Sequence, residues 1–324
     1  MADTRIDRIL ITGGSGFIGT ALISLLQRAG AEVRNIDTAP PQLDAHRSFW
    51  LKGSVLDEAA VRGVVETFCP THLVHLAAET SIENTGKPLS EAYPVNVGAT
   101  DVLAHAFVGH SPQMAVFVST QYVCGPHSGL PTDDIDFSPH TEYGESKVAM
   151  EKAVRSGWTS PFVIVRPTYV WGPHHTKYFR DVCHTLARGT YCHPGGEPVV
   201  RAYAYVDTVA QMIVDALSRR DLRGRVLYAT DRPEDSYAFV NRLSLALRGR
   251  PARRAPRFLL KALALVGDRW RRCPMNSFRY RSMTTHYPVP YAYTFEQLGE
   301  PRPDLTAGAA ATAAWFQNLP ERRT

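Results

Sequence analysis

Residues Leu10 to Gly19 read Leu-Ile-Thr-Gly-Gly-Ser-Gly-Phe-Ile-Gly. An apolar run stops at a glycine-rich turn, and an apolar segment with helical periodicity follows it, which predicts a strand, a tight loop and a helix N-terminus. Of the glycines Gly13, Gly16 and Gly19, one permits the turn, one lets a pyrophosphate approach the backbone, and one lets the helix pack closely on the strand. Unpaired N–H groups at the helix N-terminus attract the pyrophosphate. The stretch therefore predicts a dinucleotide-binding loop.

A second predicted strand ends at Asp37, eighteen residues beyond Gly19. In a dinucleotide fold, an acid at this place accepts hydrogen bonds from the adenosine ribose hydroxyls and repels the additional phosphate of NADP. The alternative is a turn aspartate at a strand end with no ligand. With the glycine loop upstream, Asp37 favours NAD over NADP.

Further apolar runs predict strands at residues 72–78, 114–118 and 162–165, and helical patterns lie at 90–110 and 141–156. Strands that alternate with helices indicate an α/β fold with a parallel sheet and helices on both faces. Beyond residue 170 the pattern loosens into short apolar runs among Pro, Gly and His, with a late strand candidate near residue 227. This part is expected to form a smaller lobe over the substrate.

The composition is that of an ordinary globular protein, with 324 residues of which 44% are hydrophobic and 21% charged. The net charge of +5 suits an anionic small substrate, or reflects only the arginine-rich region 247–281. No stretch interleaves aromatic residues with lysines, so we expect no nucleic-acid partner. Five scattered cysteines, Cys273 among them, favour free thiols in a reducing cytoplasm. The His and Cys residues do not match zinc-ligand spacing, so no metal is expected.

The longest apolar run, residues 258–266, is too short to cross a bilayer and contains a lysine. One interpretation is an amphipathic helix that lies on a membrane, which would suit a lipid-linked sugar. We instead expect this run to pack on the substrate lobe, and we expect no membrane association.

Tyr143 and Lys147 form the sharpest chemical signal in the sequence, because side chains four residues apart lie on one face of a helix. The ammonium group, with a nicotinamide ribose and the positive charge of the cofactor, favours the phenolate and lowers the tyrosine pKa. The tyrosine then serves as a general base near neutral pH. Thr120, at a strand end, is expected to hydrogen-bond the same substrate oxygen. The alternative is a solvated helix face.

Taken together, the motifs resemble the extended short-chain dehydrogenase/reductase family, in particular its NAD-dependent nucleotide-sugar epimerases and dehydratases, such as UDP-galactose 4-epimerase-type enzymes. The resemblance covers nearly the whole chain. The motifs that carry it are Thr12–Gly19, Asp37, His75–Ala78, Asn96, Ser119–Thr120, Tyr143, Lys147, Arg166–Pro167 and Tyr205–Asp207.

The resemblance implies a Rossmann-type, doubly wound parallel sheet with a smaller, interleaved C-terminal substrate lobe. Residues 1–170 are expected to form the NAD-binding domain, with returning segments near 200–230, and residues 171–324 mainly the substrate-binding lobe. Family members pair through the helices that match 90–110 and 141–156, so a homodimer is expected.

Site residues follow from the same resemblance. The expected catalytic residues are Thr120, Tyr143 and Lys147, with Tyr143 as the base. The expected NAD-binding residues are Gly13, Ser15, Gly16, Phe17, Ile18, Gly19, Asp37, Ser54, Val55, Leu76, Ala77, Ala78, Asn96, Tyr143, Lys147 and Pro167. The expected substrate-binding residues are Thr80, Ser119, Thr120, Tyr143, Tyr169, Arg201, Arg279 and Arg281. Arginine suits a nucleotide diphosphate because its donors form a planar fork, although surface arginines are the alternative in a basic chain.

Three positions depart from the family pattern. Many relatives carry an aspartate after the third strand that reaches the adenine, and this chain has Gly53-Ser54-Val55 there. UDP-galactose 4-epimerases have an asparagine at the place of Tyr169 and a lysine at that of Thr80. The adenine contact is therefore expected to be weaker, and the substrate need not be UDP-galactose.

The reaction type follows from missing acids. Sugar dehydratases of the family carry acids directly after the Ser/Thr pair, since elimination of water needs a second acid and base, and this chain has Gln121-Tyr122. Elimination and decarboxylation are therefore disfavoured. The main hypothesis is an NAD-dependent epimerase of a nucleotide-activated sugar that acts through a transient keto intermediate. The alternatives are an NAD(P)-dependent dehydrogenase or ketoreductase of a sugar nucleotide or other secondary alcohol, and a non-catalytic NAD-sensing or scaffold protein.

Overall fold

The computed structural model describes residues 7–82, 85–126, 129–270 and 275–319, without the side chain of Tyr178. Cys273 lies outside the described residues, and the other four cysteines are free thiols. The strands are β1 Arg8–Thr12, β2 Glu32–Asp37, β3 Trp50–Lys52, β4 His72–His75, β5 Met114–Val118, β6 Phe162–Pro167, β7 Tyr169–Trp171, β8 Cys192–Pro194, β9 Val200–Arg201, β10 Tyr203–Tyr205, β11 Val226–Ala229, β12 Glu234–Asp235 and β13 Arg253–Ala255.

Helices alternate with most of these strands. They are α1 Phe17–Arg28, α2 Glu58–Phe68, α3 Leu89–Ala92, α4 Pro94–Ala106, α5 Glu142–Gly157, α6 Tyr178–Ala187, α7 Val206–Ser218, α8 Ser236–Arg248, α9 Arg257–Arg269, α10 Ser277–Thr284, α11 Ala292–Leu298 and α12 Leu305–Gln317. Short 3₁₀ turns lie at Asp44–Phe49, Gln121–Val123 and Arg220–Leu222.

Seven strands of the described residues form one parallel sheet in the order β11-β6-β5-β4-β1-β2-β3. The chain winds outward from β1 to β3, then returns beside β1 and winds the other way from β4 to β6. Because parallel crossovers are right-handed, helices on the two sides of this reversal lie on opposite faces. One layer holds α1 and α7, and the other holds α2, α4 and α5. The predicted doubly wound α/β sheet is confirmed, and ligands of such sheets bind where the strand order reverses.

Local sequence explains where the flanking helices begin and end. Asp57 caps α2 by accepting a hydrogen bond from the N–H of Ala60, and Thr141 caps α5 through the N–H of Gly144. The prediction of one continuous helix over residues 90–110 is wrong in its extent. The chain forms two helices there, α3 and α4, and α4 ends at Ala106. Pro94 opens α4 at a position where its missing N–H costs no hydrogen bond.

The chain divides into two compact units. The first comprises Met1–Val170, Val206–Thr230 and Val289–Pro301, and the second comprises Trp171–Tyr205, Asp231–Pro288 and Arg302–Thr324. In the first unit the late strand candidate, β11, joins the edge of the main sheet beside β6. In the second unit α8 packs against α6 and α12, α9 packs against α10, and β8 pairs with β13 in parallel.

The apolar run at residues 258–266 lies in α9, and the expectation that it packs on the lobe is wrong for most of its side chains. Only Leu260 and Ala264 of this helix are buried. Its other large apolar side chains face solvent. No helix among the described residues has the length and apolar composition needed to span a bilayer.

Candidate active site

Side chains at the end of β2 hold the glycine loop after β1. Asn35 accepts a hydrogen bond from the N–H of Gly14 (2.8 Å) and donates one to the hydroxyl of Ser15 (3.1 Å). Asp37 accepts a hydrogen bond from the N–H of Ser15 (3.0 Å). Gly13 has a φ of +76°, and a Cβ there would lie 2.4 Å from the backbone nitrogen of Ala77. The loop is therefore pinned between the ends of β2 and β4.

The N-terminus of α1 follows this loop directly. Gly16 is its N-cap residue, and a glycine has no side chain with which to cap the helix. Phe17 and Ile18 form its first turn together with Gly19. This arrangement leaves the positive end of the helix dipole at the carboxyl edge of the sheet, where a phosphate group is favoured.

The segment after β4 is anchored by Asn96 of α4. Its side-chain oxygen accepts a hydrogen bond from the N–H of Glu79 (2.9 Å), and its amide group donates to the Glu79 carbonyl (2.9 Å) and to Ser146 (2.8 Å). Asn96 is fully buried, so it ties the Leu76–Ala78 segment to α5. Both amide hydrogens are used within the protein, and a direct contact of Asn96 with NAD stays a prediction.

Tyr143 lies in the first turn of α5 and faces the residues that follow β5. Its ring is 6.2 Å from that of Tyr122 and 6.3 Å from that of Tyr93, measured between centroids. Gly144 makes this approach possible, because a Cβ on it would lie 2.3 Å from the carbonyl oxygen of Tyr122. The glycine next to the tyrosine therefore lets α5 contact the turn after Thr120.

The structure places the side chains of Tyr143 and Thr120 beside each other, as the sequence predicts. Burial raises the pKa of the Tyr143 hydroxyl above its ordinary value, while the neighbouring hydroxyl of Thr120 acts in the opposite direction. Without further positive charge the hydroxyl is neutral at physiological pH. The predicted lowering of this pKa remains a prediction for the NAD-bound protein.

Lys147 is buried one helical turn after Tyr143, and its ammonium group donates a hydrogen bond to the carbonyl of Val118 at the end of β5 (2.8 Å). Burial lowers the pKa of Lys147 to about 8, although the carboxylates of Glu151 and Glu79 act to raise it. Tyr143, Lys147 and Thr120 therefore meet at the carboxyl end of β5.

Ser119 belongs to a second cluster, which the sequence analysis missed. Its hydroxyl donates to Glu151 (2.6 Å), and Glu151 forms an ion pair with Arg166 through both carboxylate oxygens (2.9 and 2.8 Å). Arg166 also donates to the hydroxyl of Tyr228 (2.9 Å) and the carbonyl of Asp134 (2.7 Å). Burial alone would lower the pKa of Arg166. The hydrogen bonds and the negative charge of Glu151 have the larger effect, so the pKa of Arg166 is raised.

Two signals could have revealed this cluster from the sequence. Glu151 continues the series Tyr143 and Lys147 at four-residue spacing, so it shares their helix face. Arg166 interrupts an apolar strand, and a buried charge requires a partner. The hydroxyl hydrogen of Ser119 is donated to Glu151, and its expected contact with substrate stays a prediction.

The remaining predicted residues of the first unit lie on loops and strand ends. Ser54 accepts a hydrogen bond from the N–H of Leu56 (3.2 Å), and its neighbour Val55 is buried. Pro167 is the buried last residue of β6. Thr80 is exposed in the segment after β4, and Tyr169 begins β7 partly buried.

The three predicted arginines lie in the second unit. Arg201 donates a hydrogen bond to the carbonyl of Ser282, and its guanidinium lies 5.6 Å from the ring centroid of Tyr287. Ser282 is on α10, which also carries Arg279 and Arg281, both exposed. The structure therefore places all three beside one helix, and their role with substrate stays a prediction.

A family model described as NAD dependent epimerase/dehydratase family matches residues 9–227. The chain belongs to this NAD-dependent epimerase/dehydratase family. It is therefore an enzyme, and its cofactor is NAD. The matched region runs from β1 to β11, so it includes the glycine loop, Asp37 and the Tyr143–Lys147 pair.

Curated relatives of the family match parts of the chain. A 3 beta-hydroxysteroid dehydrogenase/Delta 5-->4-isomerase from Mycobacterium tuberculosis is 30% identical over 199 residues, which cover 57% of this chain and 53% of that enzyme. An N-acetyl-alpha-D-glucosaminyl-diphospho-ditrans,octacis-undecaprenol 4-epimerase from Escherichia coli O157:H7 is 25% identical over 233 residues, or 70% of this chain and 68% of that enzyme. The chain spans about half the length of the first of these.

A solved structure shows the same fold over nearly the full chain. The UDP-glucose 4-epimerase of Thermotoga maritima, solved with UDP-glucose, matches with a TM-score of 0.73 at 21% identity and covers 96% of this chain and 98% of its own.

The residues of this chain fit the dinucleotide that the family uses. The pinned glycine loop exposes backbone at the N-terminus of α1, as a pyrophosphate requires. Each carboxylate oxygen of Asp37 accepts one backbone N–H, from Ser15 and from Ala39 (both 3.0 Å). A carboxylate has about four lone-pair sites, so Asp37 retains acceptor capacity for ribose hydroxyls.

We expect Gly13→Ala to lose NAD binding and about 2–4 kcal/mol of unfolding free energy, because the methyl group would overlap Ala77 and φ is left-handed. Gly30 has the same φ of +76°, and a Cβ added there would meet no atom within 4 Å, so Gly30→Ala is the matched control and should cost about 1 kcal/mol. Urea unfolding and NAD calorimetry measure both effects. Equal losses in the two variants would show that the close approach to Ala77 is unimportant.

Among the described residues, no group of three or more His, Cys, Asp or Glu side chains is placed to hold a metal ion. His193, which follows Cys192 in the sequence, hydrogen-bonds through its ring nitrogens to the hydroxyls of Tyr191 (3.0 Å) and Ser236 (3.3 Å).

Proposed function

We propose that the protein is an NAD-dependent epimerase of a nucleotide-activated sugar, with Tyr143 as its general base. The observation that carries this proposal is the cluster at the end of β5, where the Tyr143 hydroxyl lies beside Thr120 and Lys147 lies one turn away on the same helix face. The aromatic rings of Tyr93 and Tyr122 fix the orientation of the base. Such fixed geometry is what a proton-transfer residue requires.

Reversible oxidation of a sugar carbon to a keto group is the chemistry that bound NAD would supply. The oxygen of Tyr143 takes the proton from the hydroxyl on that carbon and gives it back when the keto group is reduced. Thr120 hydrogen-bonds the same substrate oxygen and keeps it within reach of Tyr143. Lys147 contributes a positive charge that favours the phenolate over the neutral phenol.

Net inversion requires that the hydride return to the opposite face of the keto sugar, so the sugar must turn within the site. A dehydratase would need acids directly after the Ser/Thr pair. This chain has Gln121 and Tyr122 at those two positions, and Gln121 is buried. The chain therefore offers no carboxylate at these two positions to assist elimination of water, which supports the epimerase.

A nucleotide diphosphate sugar is the proposed substrate class. The Thermotoga maritima neighbour was solved with UDP-glucose, and the Escherichia coli relative acts, by its name, on a diphosphate-linked sugar. We propose that Arg201, Arg279 and Arg281 bind the diphosphate, since guanidinium groups pair with phosphate oxygens in a planar fork.

A dehydrogenase of a secondary alcohol is the second candidate. It is favoured by the 30% identity with the mycobacterial 3 beta-hydroxysteroid dehydrogenase, a match that covers 57% of this chain. The same Tyr143, Lys147 and Thr120 would then remove the proton once, without returning it. Net oxidation consumes NAD, whereas epimerisation leaves the redox state of the cofactor unchanged.

The deciding experiment incubates the protein with UDP-glucose, UDP-N-acetylglucosamine or a 3 beta-hydroxysteroid, and follows absorbance of NADH together with the sugar products by chromatography. An epimerase forms a second nucleotide sugar with no net NADH. Stoichiometric NADH with an oxidised product would instead establish the dehydrogenase. A retained NAD mass in the undenatured purified protein would further support internal recycling of the cofactor.

Asp37→Asn is expected to improve NADP binding relative to NAD by about tenfold, or about 1.4 kcal/mol, because it removes the charge that repels the extra phosphate. The single amide oxygen of asparagine can still accept the hydrogen bond from the N–H of Ser15, which holds the loop, whereas the hydrogen bond from the N–H of Ala39 is lost because an NH2 group replaces the second carboxylate oxygen. Asp44→Asn, an exposed change in the following 3₁₀ turn, is the control. An unchanged ratio of the two dissociation constants would exclude Asp37 as the discriminating residue.

Homodimerisation through α4 and α5, and a cytoplasmic location, remain predictions. The two helices pack against each other within the first unit. Sedimentation velocity of the purified protein measures the oligomeric state.

A further inference from the structure

Helix α9 presents its apolar side to solvent. Phe258 is 70% exposed, and Leu265 and Trp270 are each 60% exposed. The apolar surface formed by these side chains and their neighbours is called the α9 face, and its members are Phe258, Leu259, Leu263, Leu265, Val266 and Trp270. Single exposed apolar residues are normal on protein surfaces, but a contiguous group marks an interaction site.

Helical spacing makes the α9 face continuous. Leu259, Leu263, Val266 and Trp270 follow one another at intervals of four, three and four residues, so they form one stripe along the helix. Phe258 and Leu265 lie beside this stripe, with Ala262 between them in the sequence. Leu260 and Ala264, on the opposite side, are the buried residues that attach the helix to its unit.

A positive charge surrounds this apolar surface. Residues 253–270 contain five basic residues and one acid, Asp268. Lys261 and Arg269 are exposed on α9 itself, and Arg253 and Arg254 are exposed just before it. Asp268 accepts hydrogen bonds from the N–H and hydroxyl of Ser277, so its carboxylate is directed to α10.

We infer that the α9 face docks on the surface of a bilayer that contains anionic lipid. An interfacial helix buries its apolar side at the level of the acyl chains, while basic residues contact anionic headgroups. Lys261 and Arg269 can extend their charged ends to the headgroups along apolar stems. Trp270, exposed at the end of the helix, is of the residue type enriched at membrane–water interfaces.

Charge favours a lipid surface over a second copy of the chain. A two-fold contact through the α9 face would bring the basic residues of one copy close to the same basic residues of the other, and like charges in an interface are unfavourable. An anionic bilayer complements both the apolar and the basic parts of the surface. This docking is independent of which substrate the enzyme uses.

Flotation of the full-length protein with lipid vesicles tests the inference without any substrate. One vesicle preparation contains phosphatidylcholine alone, and the other contains about one quarter phosphatidylglycerol. The test variant is Phe258→Glu with Leu265→Glu, and the matched control is Leu130→Glu with Leu245→Glu, which changes two exposed leucines elsewhere. All four positions are exposed, so circular dichroism should show that both variants fold.

The wild type and the control should float with the anionic vesicles, and the bound fraction of the Phe258/Leu265 variant should fall about tenfold or more. Raised salt and Lys261→Glu should weaken the interaction. Tryptophan emission should shift to shorter wavelength on binding, and Trp270→Phe should remove that shift.

Absence of binding to anionic vesicles would overturn the inference, as would equal binding by the Phe258/Leu265 variant. Self-association that this variant abolishes, without vesicle binding, would assign the surface to a second copy instead. None of these outcomes depends on turnover, so a failure here leaves the proposed epimerase untouched.

Discussion

Tyr143→Phe should lower kcat about 10²–10⁴-fold, because it removes the oxygen that α5 places against Thr120 for proton transfer. The phenyl ring keeps the packing against Tyr93 and Tyr122, so the variant should fold and bind NAD nearly as well as the wild type. The measurement is turnover of whichever substrate the product assay identifies, with NAD affinity from calorimetry in parallel.

Tyr93→Phe is the matched control for this variant. Tyr93 lies beside Tyr143, but its hydroxyl donates to the carbonyl of Ser81 (2.9 Å), so its loss should change kcat far less. Turnover by Tyr143→Phe at the wild-type rate would refute the assignment of the base. Loss of NAD binding in the same variant would show that the tyrosine acts in binding rather than in proton transfer.

Glu151→Ala should lower the free energy of unfolding by about 3–5 kcal/mol, because it leaves the Arg166 guanidinium buried without its counter-charge. Both side chains are fully buried, and Arg166 cannot lose its proton to escape the cost. Urea unfolding of the full chain, monitored by circular dichroism, measures the difference.

Glu234→Ala provides the control, since Glu234 forms a comparable two-bond ion pair with Arg242 that is about one-fifth exposed. Its loss should cost about 0–1 kcal/mol, as for pairs in contact with solvent. The double replacement Glu151→Met with Arg166→Met should recover much of the lost stability, because it removes both charges. A Glu151→Ala loss no larger than that of the control would contradict a strong buried pair.

The residues that the sequence predicts well are those whose signal is local. Helical spacing indicates that Tyr143 and Lys147 share one face of a helix, and the structure places both on α5. The parallel sheet follows because buried parallel strands are nearly continuous apolar runs, as in His72–His75 and Met114–Val118. The cofactor predicted from the family resemblance agrees with the match to the NAD-dependent family model.

The residues that the sequence analysis missed depend on distant partners. Asn35 acts through Gly14 and Ser15, which lie twenty or more positions away, and nothing in its own stretch of sequence indicates that. The pair of Glu151 and Arg166 forms only when α5 lies against β6. Pattern alone shows that α9 has an apolar side, but whether that side faces the core or solvent depends on what packs against it.

The loop after β1 is closed by hydrogen bonds to side chains of β2. Asn35 and Asp37 accept the N–H groups of Gly14 and Ser15, and Ala77 blocks movement of Gly13 from the other side. A preorganised loop loses little conformational entropy when its ligand arrives. We therefore expect the dinucleotide to bind with little rearrangement of this loop, which leaves binding energy to orient the nicotinamide as the proposed role of Tyr143 requires.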